Sequence, residues 1–169
     1  MALWFALAAL FSWLLAGLLM KEAAASSPSA KVAVFHRRLA SGQLENIDEF
    51  FAFPAAYNYW CDIAVSLGIP RPRQEDFRVA VARLLAADDV RAELSSYRPV
   101  EFRQKIVGEV GSVVFRKEGA PPGNDSAAVS VVLEDGRWKI MTYPGVFPGR
   151  MLVEARRDAR SAREGREHR

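Results

Sequence analysis

The chain has 169 residues, a formal net charge of +3 and a single cysteine. Once an apolar N-terminus is set aside, that length holds one domain and not two. A lone cysteine excludes an intrachain disulfide, and a mild positive charge drawn largely from an Arg-rich C-terminus does not describe a nucleic-acid groove.

Residues 2–20 read ALWFALAALFSWLLAGLLM and carry no charge. As helix, nineteen residues reach about 28 Å, close to the roughly 30 Å hydrocarbon core of a bilayer. The pattern predicts a single membrane-spanning anchor, with a cleaved signal as the alternative. Ala8, Ser12 and Ala16 recur every four residues, so the helix would carry a small-residue face suited to packing on another membrane subunit. Lys21, Lys31, Arg37 and Arg38 follow the run and no cation precedes it. The positive-inside rule then places the domain on the cytoplasmic, matrix or stromal side. Residues 23–26, Ala-Ala-Ala-Ser, offer a small-residue cleavage site that would instead export it.

Residues 21–30, KEAAASSPSA, read as a flexible tether. From Lys31 a helical period sets in, with Val32, Phe35 and Leu39 on one face and Gly42 as its stop. A second helix is expected with Leu44, Ile47, Phe50 and Phe51 on one face, closed by Pro54. Residues 55–67 predict a third helix with Tyr57, Trp60, Cys61 and Ala64 on one face, ended by Gly68 and Pro70. Residues 74–90 predict a fourth, its buried stripe built by Phe77, Ala80, Val81, Leu84 and Leu85.

The period changes to two at Val100. Val100, Phe102 and Ile106 alternate with charged residues, and Gly108 and Gly111 predict a bulge or sharp bend before strand resumes at residues 112–116. Residues 119–126, GAPPGNDS, form a turn by composition. Two alternating runs then flank Asp135-Gly136, which specifies a two-residue type I′ hairpin. Closing it at Glu134 and Arg137 sets Leu133 opposite Trp138 and Val131 opposite Ile140, with both apolar pairs on one face. Residues 149–169 are rich in Arg and Glu and are expected to form a charged tail, disordered or helical, that cannot bury enough surface to fold alone.

No catalytic cluster stands out. His36 is expected on a solvated helix face beside Arg37 and Arg38, and Cys61 as an inert buried thiol. His36 and His168 are the only histidines, and they lie far apart without a cysteine cluster, so neither a metal nor another cofactor is implied. Asn124-Asp125-Ser126 is a glycosylation sequon that matters only for a lumenal domain. Tyr57, Trp60 and Trp138 are the candidates for lining an apolar ligand pocket.

Phe35 and Leu39 in the opening helix, Ala80, Val81, Leu84 and Leu85 in the later one, and the closing run V-x-V-x-L-E-D-G-R-W-K-I over residues 129–140 resemble the NTF2-like superfamily across about residues 31–143. The resemblance implies an α+β cone in which a curved antiparallel sheet wraps around helices. It also implies that an enzyme of this kind would work inside the cone by acid–base chemistry. No motif of that superfamily maps onto individual residues here.

The expected fold is therefore α+β: a transmembrane helix over residues 1–20, a linker over 21–30, an NTF2-like domain over 31–148 and a tail over 149–169. The expected function is a small, membrane-anchored binding or assembly domain, an accessory subunit whose partners are the lipid bilayer and other membrane-protein subunits, with no nucleic acid. The alternative is an anchored or exported NTF2-like enzyme or binder of a small apolar ligand.

Overall fold

The computed structural model describes residues 27–43 and 45–157. Helix α1, Pro28–Ala40, starts where its sequence provides a cap: the Ser27 hydroxyl accepts from the Ala30 N–H at 3.2 Å, and Pro28 fills the first turn, where no N–H is needed. It ends in a Schellman motif. Gln43 N–H donates to Arg38 O at 2.8 Å, Gly42 N–H donates to Leu39 O at 3.0 Å, and Gly42 takes the required positive φ of 72°. The helix thus begins inside the segment expected to be a linker. Val32, Phe35, His36 and Leu39 form its buried stripe. Fully burying a side chain such as Phe35 contributes about 1.5–3 kcal/mol, an upper estimate.

The expected second helix shrinks to a 3-10 turn, Ile47–Glu49. Phe50, Phe51, Ala52 and Phe53 are all buried, a continuous run that no single helix face could accommodate. The chain instead extends, and Phe51 pairs in parallel with Ile140, with Ala52 N donating to Ile140 O at 2.8 Å and Ile140 N to Phe50 O at 2.7 Å. Helix α2, Phe53–Ser66, follows with Pro54 in its first turn, so this proline opens a helix rather than closing one. The expected fourth helix is two: α3, Gln74–Leu85, and α4, Asp88–Ser95. Asp88 and Asp89 sit in the first turn of α4, where the helix dipole favours acids.

Strands β1 (Arg98–Val107), β2 (Val110–Glu118), β3 (Ser126–Glu134) and β4 (Arg137–Ile140) form one antiparallel meander in the order β1-β2-β3-β4. The last hairpin has the expected register, Leu133 opposite Trp138 and Val131 opposite Ile140. Asp135 and Gly136 take φ of 51° and 72°, the two left-handed residues a type I′ turn needs. Of the bulge or sharp bend expected at the β1–β2 glycines, the structure has the bend, at Gly108. Gly108 turns the hairpin, and Gly111 permits close approach, since a Cβ there would lie 2.9 Å from the Lys105 carbonyl. The register shift lies earlier, between Val100 and Arg103, where Glu101 adopts a φ of 54°.

Helix α1 lies across the inner face of the sheet, running from the hairpin-tip end to the base. The Ser29 hydroxyl donates to Gln104 Oε1 at 2.6 Å near its start, and the Ser95 hydroxyl donates to Ala40 O at 3.2 Å near its end. After β4 the chain turns back through Tyr143 and Phe147 and becomes helical over residues 149–157. This stretch is no isolated tail: Met151 is buried, and Leu152 and Ala155 pack on the core.

The described fold is α+β, and the expected transmembrane helix is corrected as well. No helix among the described residues is long and apolar enough to cross a membrane, so a transmembrane helix is not part of it. Residues 2–20, with the packing face Ala8, Ser12 and Ala16, lie outside the described residues.

Candidate functional site

The volume between the sheet and the helices is filled by rings. Phe147 lies at 5.5 Å from Phe77, 6.1 Å from Phe51 and 6.2 Å from Trp60, and Phe35 meets Tyr143 edge-on at 5.3 Å. All are almost fully buried. Aromatic pairs at these separations stabilise beyond their buried area. The side of the sheet that would form a cone pocket is thus occupied by the protein's own core.

The three pocket candidates do not converge. The Tyr57 hydroxyl donates to the Pro72 carbonyl at 3.0 Å, and its ring meets Phe77 edge-on. Hydrogen bonding to Cys61 pushes the Tyr57 phenol up, with burial adding to it. Trp60 belongs to the core beside Phe147. Trp138 stands half-buried on β4 opposite Leu133, near the hairpin tips.

His36 is a correction with a plain cause. Its position four residues after Val32 puts it on the buried stripe of α1, and it is only 5% exposed. Its Nδ1 lies 2.7 Å from the Tyr143 hydroxyl, which is also hydrogen-bonded to Tyr97. Burial lowers the His36 pKa, and hydrogen bonds to the backbone of Tyr97 and Leu94 oppose that shift. Burial likewise pushes the Tyr97 phenol up to about 12, with Glu93 adding to it, and drives Tyr143 well above the ordinary phenol range. A shallow groove of about 460 Å³ reaches this cluster past Ala33, Ser95 and Pro99. A general base needs a nitrogen free to take a proton. Here Tyr143 and the backbone already engage the imidazole, so the cluster reads as a buried polar spine.

A second cleft, about 520 Å³, has Phe51 and Phe53 in its floor and Arg73, Arg78 and Lys139 on its rim. Each cation is already paired: Arg78 with Asp48, Arg73 with Asp76 at 2.8 Å, and Lys139 with Glu134 at 3.3 Å. An anion would have to displace a carboxylate. Among the described residues, no group of three His, Cys, Asp or Glu side chains gathers to hold a metal.

Exposed apolar side chains occur singly on the helices, at Val65, Val79 and Val153, and as a group on the sheet. Val107, Val110 and Ile106 are 66%, 53% and 43% exposed around the β1–β2 tip. Register places Val107, Val110 and Val132 side by side across three strands on the outer face, with Val114 on the same face of β2 beyond Ser112. The signal was present in the sequence as valines on both parities, Val113-Val114 and Val131-Val132, which a one-sided strand does not require. The Leu133 N–H donates to Glu109 O at 2.7 Å and ties the two hairpin tips together. Comparison of the chain with protein families, curated proteins and solved structures gives no match.

Proposed function

We propose that this chain is a small binding and assembly domain, laid out as an NTF2-like cone with a filled interior, that joins partner subunits at a membrane. The observation that carries the reading is the contrast between the two faces of the sheet. The inner face is closed by Phe35, Phe115, Phe147 and their neighbours, while the outer face and the β1–β2 tip leave valines uncovered. Exposed apolar patches rimmed by polar residues mark interaction surfaces more often than chance placement. The membrane enters the reading through the uncharged run at residues 2–20, which precedes α1 by a short polar stretch.

The test is native mass spectrometry of the full chain after gentle detergent extraction. The reading predicts stoichiometric companion subunits. A lone chain carrying a small apolar molecule would contradict it and favour a ligand binder.

A further inference from the structure

The hydroxyl of Tyr143 at His36 begins a run of polar contacts that reaches the C-terminal helical stretch. Two residues beyond Tyr143, Gly145 lies against the Glu93 side chain of α4: a Cβ added there would stand 2.8 Å from Glu93 Oε1. The other carboxylate oxygen accepts from Arg150 Nη2 at 3.0 Å, and Arg150 Nε returns to the Gly145 carbonyl at 2.7 Å. Tyr97 closes the run from the other side, its phenol hydrogen-bonded to Tyr143 and feeling the charge of Glu93. The backbone of Leu94, next in sequence to Glu93, bonds the imidazole. His36 and Arg150 therefore share the same neighbours.

The elements around the imidazole present few charges to it. On α1 itself Arg37 is exposed, and Arg38 lies over the Phe50 ring at 4.7 Å. β2 brings Lys117, whose Nζ stands 5.2 Å from the centre of the Tyr97 ring and donates to Asn124 Oδ1. On β1, Arg98 and Glu101 are paired with Glu118 and Arg116, and on β4 Lys139 is paired with Glu134. The chain before β1 supplies Tyr97 and the chain after β4 supplies Tyr143. Glu93 is the acid that borders this cluster, and Arg150 already holds it.

We propose that His36 and Arg150 compete for Glu93, so that a proton arriving at His36 loosens the helical stretch over residues 149–157 from α4. His36 lines the shallow groove of about 460 Å³, which gives the proton its way in. The proton adds to the ring nitrogen that lacks one. The Tyr143 oxygen then accepts from Nδ1, since a hydroxyl both donates and accepts. What remains is a buried charge with no opposite charge beside it. Glu93 lowers that cost by turning from Arg150 toward Tyr97 and the ring. The clasp keeps only Asp89 and the Gly145 carbonyl, and Met151, Leu152 and Ala155 are held less firmly on the core. At neutral pH the ring is uncharged, Glu93 stays with Arg150 and the stretch is closed. Carboxylates stay ionised above about pH 5, so the window between there and neutrality belongs to His36.

Coupling of this kind is reciprocal, so the clasp must act back on the histidine. The test titrates the His36 ring by NMR in the full chain in zwitterionic detergent, with His168→Gln so that one histidine remains. Arg150→Ala is expected to tighten proton binding at His36 several-fold by freeing Glu93. Glu93→Gln is expected to change it little alone and to cancel the rise in the Arg150→Ala chain. Amides of residues 149–157 should exchange several-fold faster at pH 5.5 than at pH 7.5 after correction for intrinsic rates, with β2 and β3 steady and the acceleration gone in His36→Gln. An unchanged midpoint in Arg150→Ala, or equal effects of Glu93→Gln with and without Arg150, would overturn the competition. Acceleration that persists without His36, or that spreads equally to β2 and β3, would overturn the local release.

Discussion

Nδ1 of His36 lies 2.7 Å from the hydroxyl of Tyr143, joining α1 to the segment after β4 across 107 positions of sequence. Tyr143 is fully buried and its hydroxyl also meets Tyr97, so one phenol links three parts of the fold. Tyr143→Phe should leave the His36 nitrogen and the Tyr97 hydroxyl without that partner. The expected cost is ~1–3 kcal/mol, read as a lower denaturation midpoint at unchanged slope.

The same pair makes stability depend on pH. Burial lowers the pKa of His36 below its ordinary 6.5. A base whose folded pKa is depressed binds its proton more weakly in the folded state. Its contribution is fully present above the unfolded value and is lost as pH falls from about 6.5 toward the folded pKa. Thermal melts should therefore show a falling midpoint between neutral pH and pH 5, and His36→Gln should flatten that part of the curve. An unchanged slope in the variant would show that other groups carry it.

Arg150 holds the C-terminal helical stretch to α4. Its guanidinium meets Asp89 and Glu93, and its Nε donates to Gly145 O at 2.7 Å. The Arg150 bond holds the Asp89 carboxyl below the usual carboxylate range. The side chain is 30% exposed and the acids it meets are more so, so each ion pair alone is worth little. Arg150→Ala should therefore cost little globally but raise amide exchange at residues 149–157, with core strands unaffected.

Two glycines of the first hairpin should respond differently to alanine. Gly108 has a φ of 61° and open space around it, so Gly108→Ala should cost only the left-handed penalty, ~1–2 kcal/mol. A Cβ added at Gly111 would lie 2.9 Å from the Lys105 carbonyl, so Gly111→Ala must push backbone apart. Stability and the cross-strand contacts of β1–β2 by NMR should both change more for Gly111→Ala.

The elements whose determinants are local were legible in the sequence. Gly42 marks the end of α1, and Asp135-Gly136 between alternating runs fixed both the turn and the register of the last hairpin, whereas the Ser27-Pro28 start of α1 fell inside the expected linker. What could not be read depended on distant partners. The Phe50–Phe53 run has helical spacing by itself and becomes extended because β4 offers a free edge at Ile140. His36 looked solvated beside two arginines, and its partner Tyr143 lies over a hundred residues away. The pocket expected at Tyr57, Trp60 and Trp138 required knowing that Phe147 would return to fill the interior. Residues 149–157 looked unable to bury anything because Met151 acts in a core built by other elements.

The central claim is that this domain works through an outer surface and not through an interior pocket. The most direct measurement is hydrogen–deuterium exchange of the full chain, compared between its native membrane extract and the purified protein in detergent. The account predicts protection gained in the extract at the β1–β2 tip, residues 105–111, and along Val132 of β3. Protection confined to the groove at His36, Ser95 and Tyr97, with the tip unchanged, would contradict it.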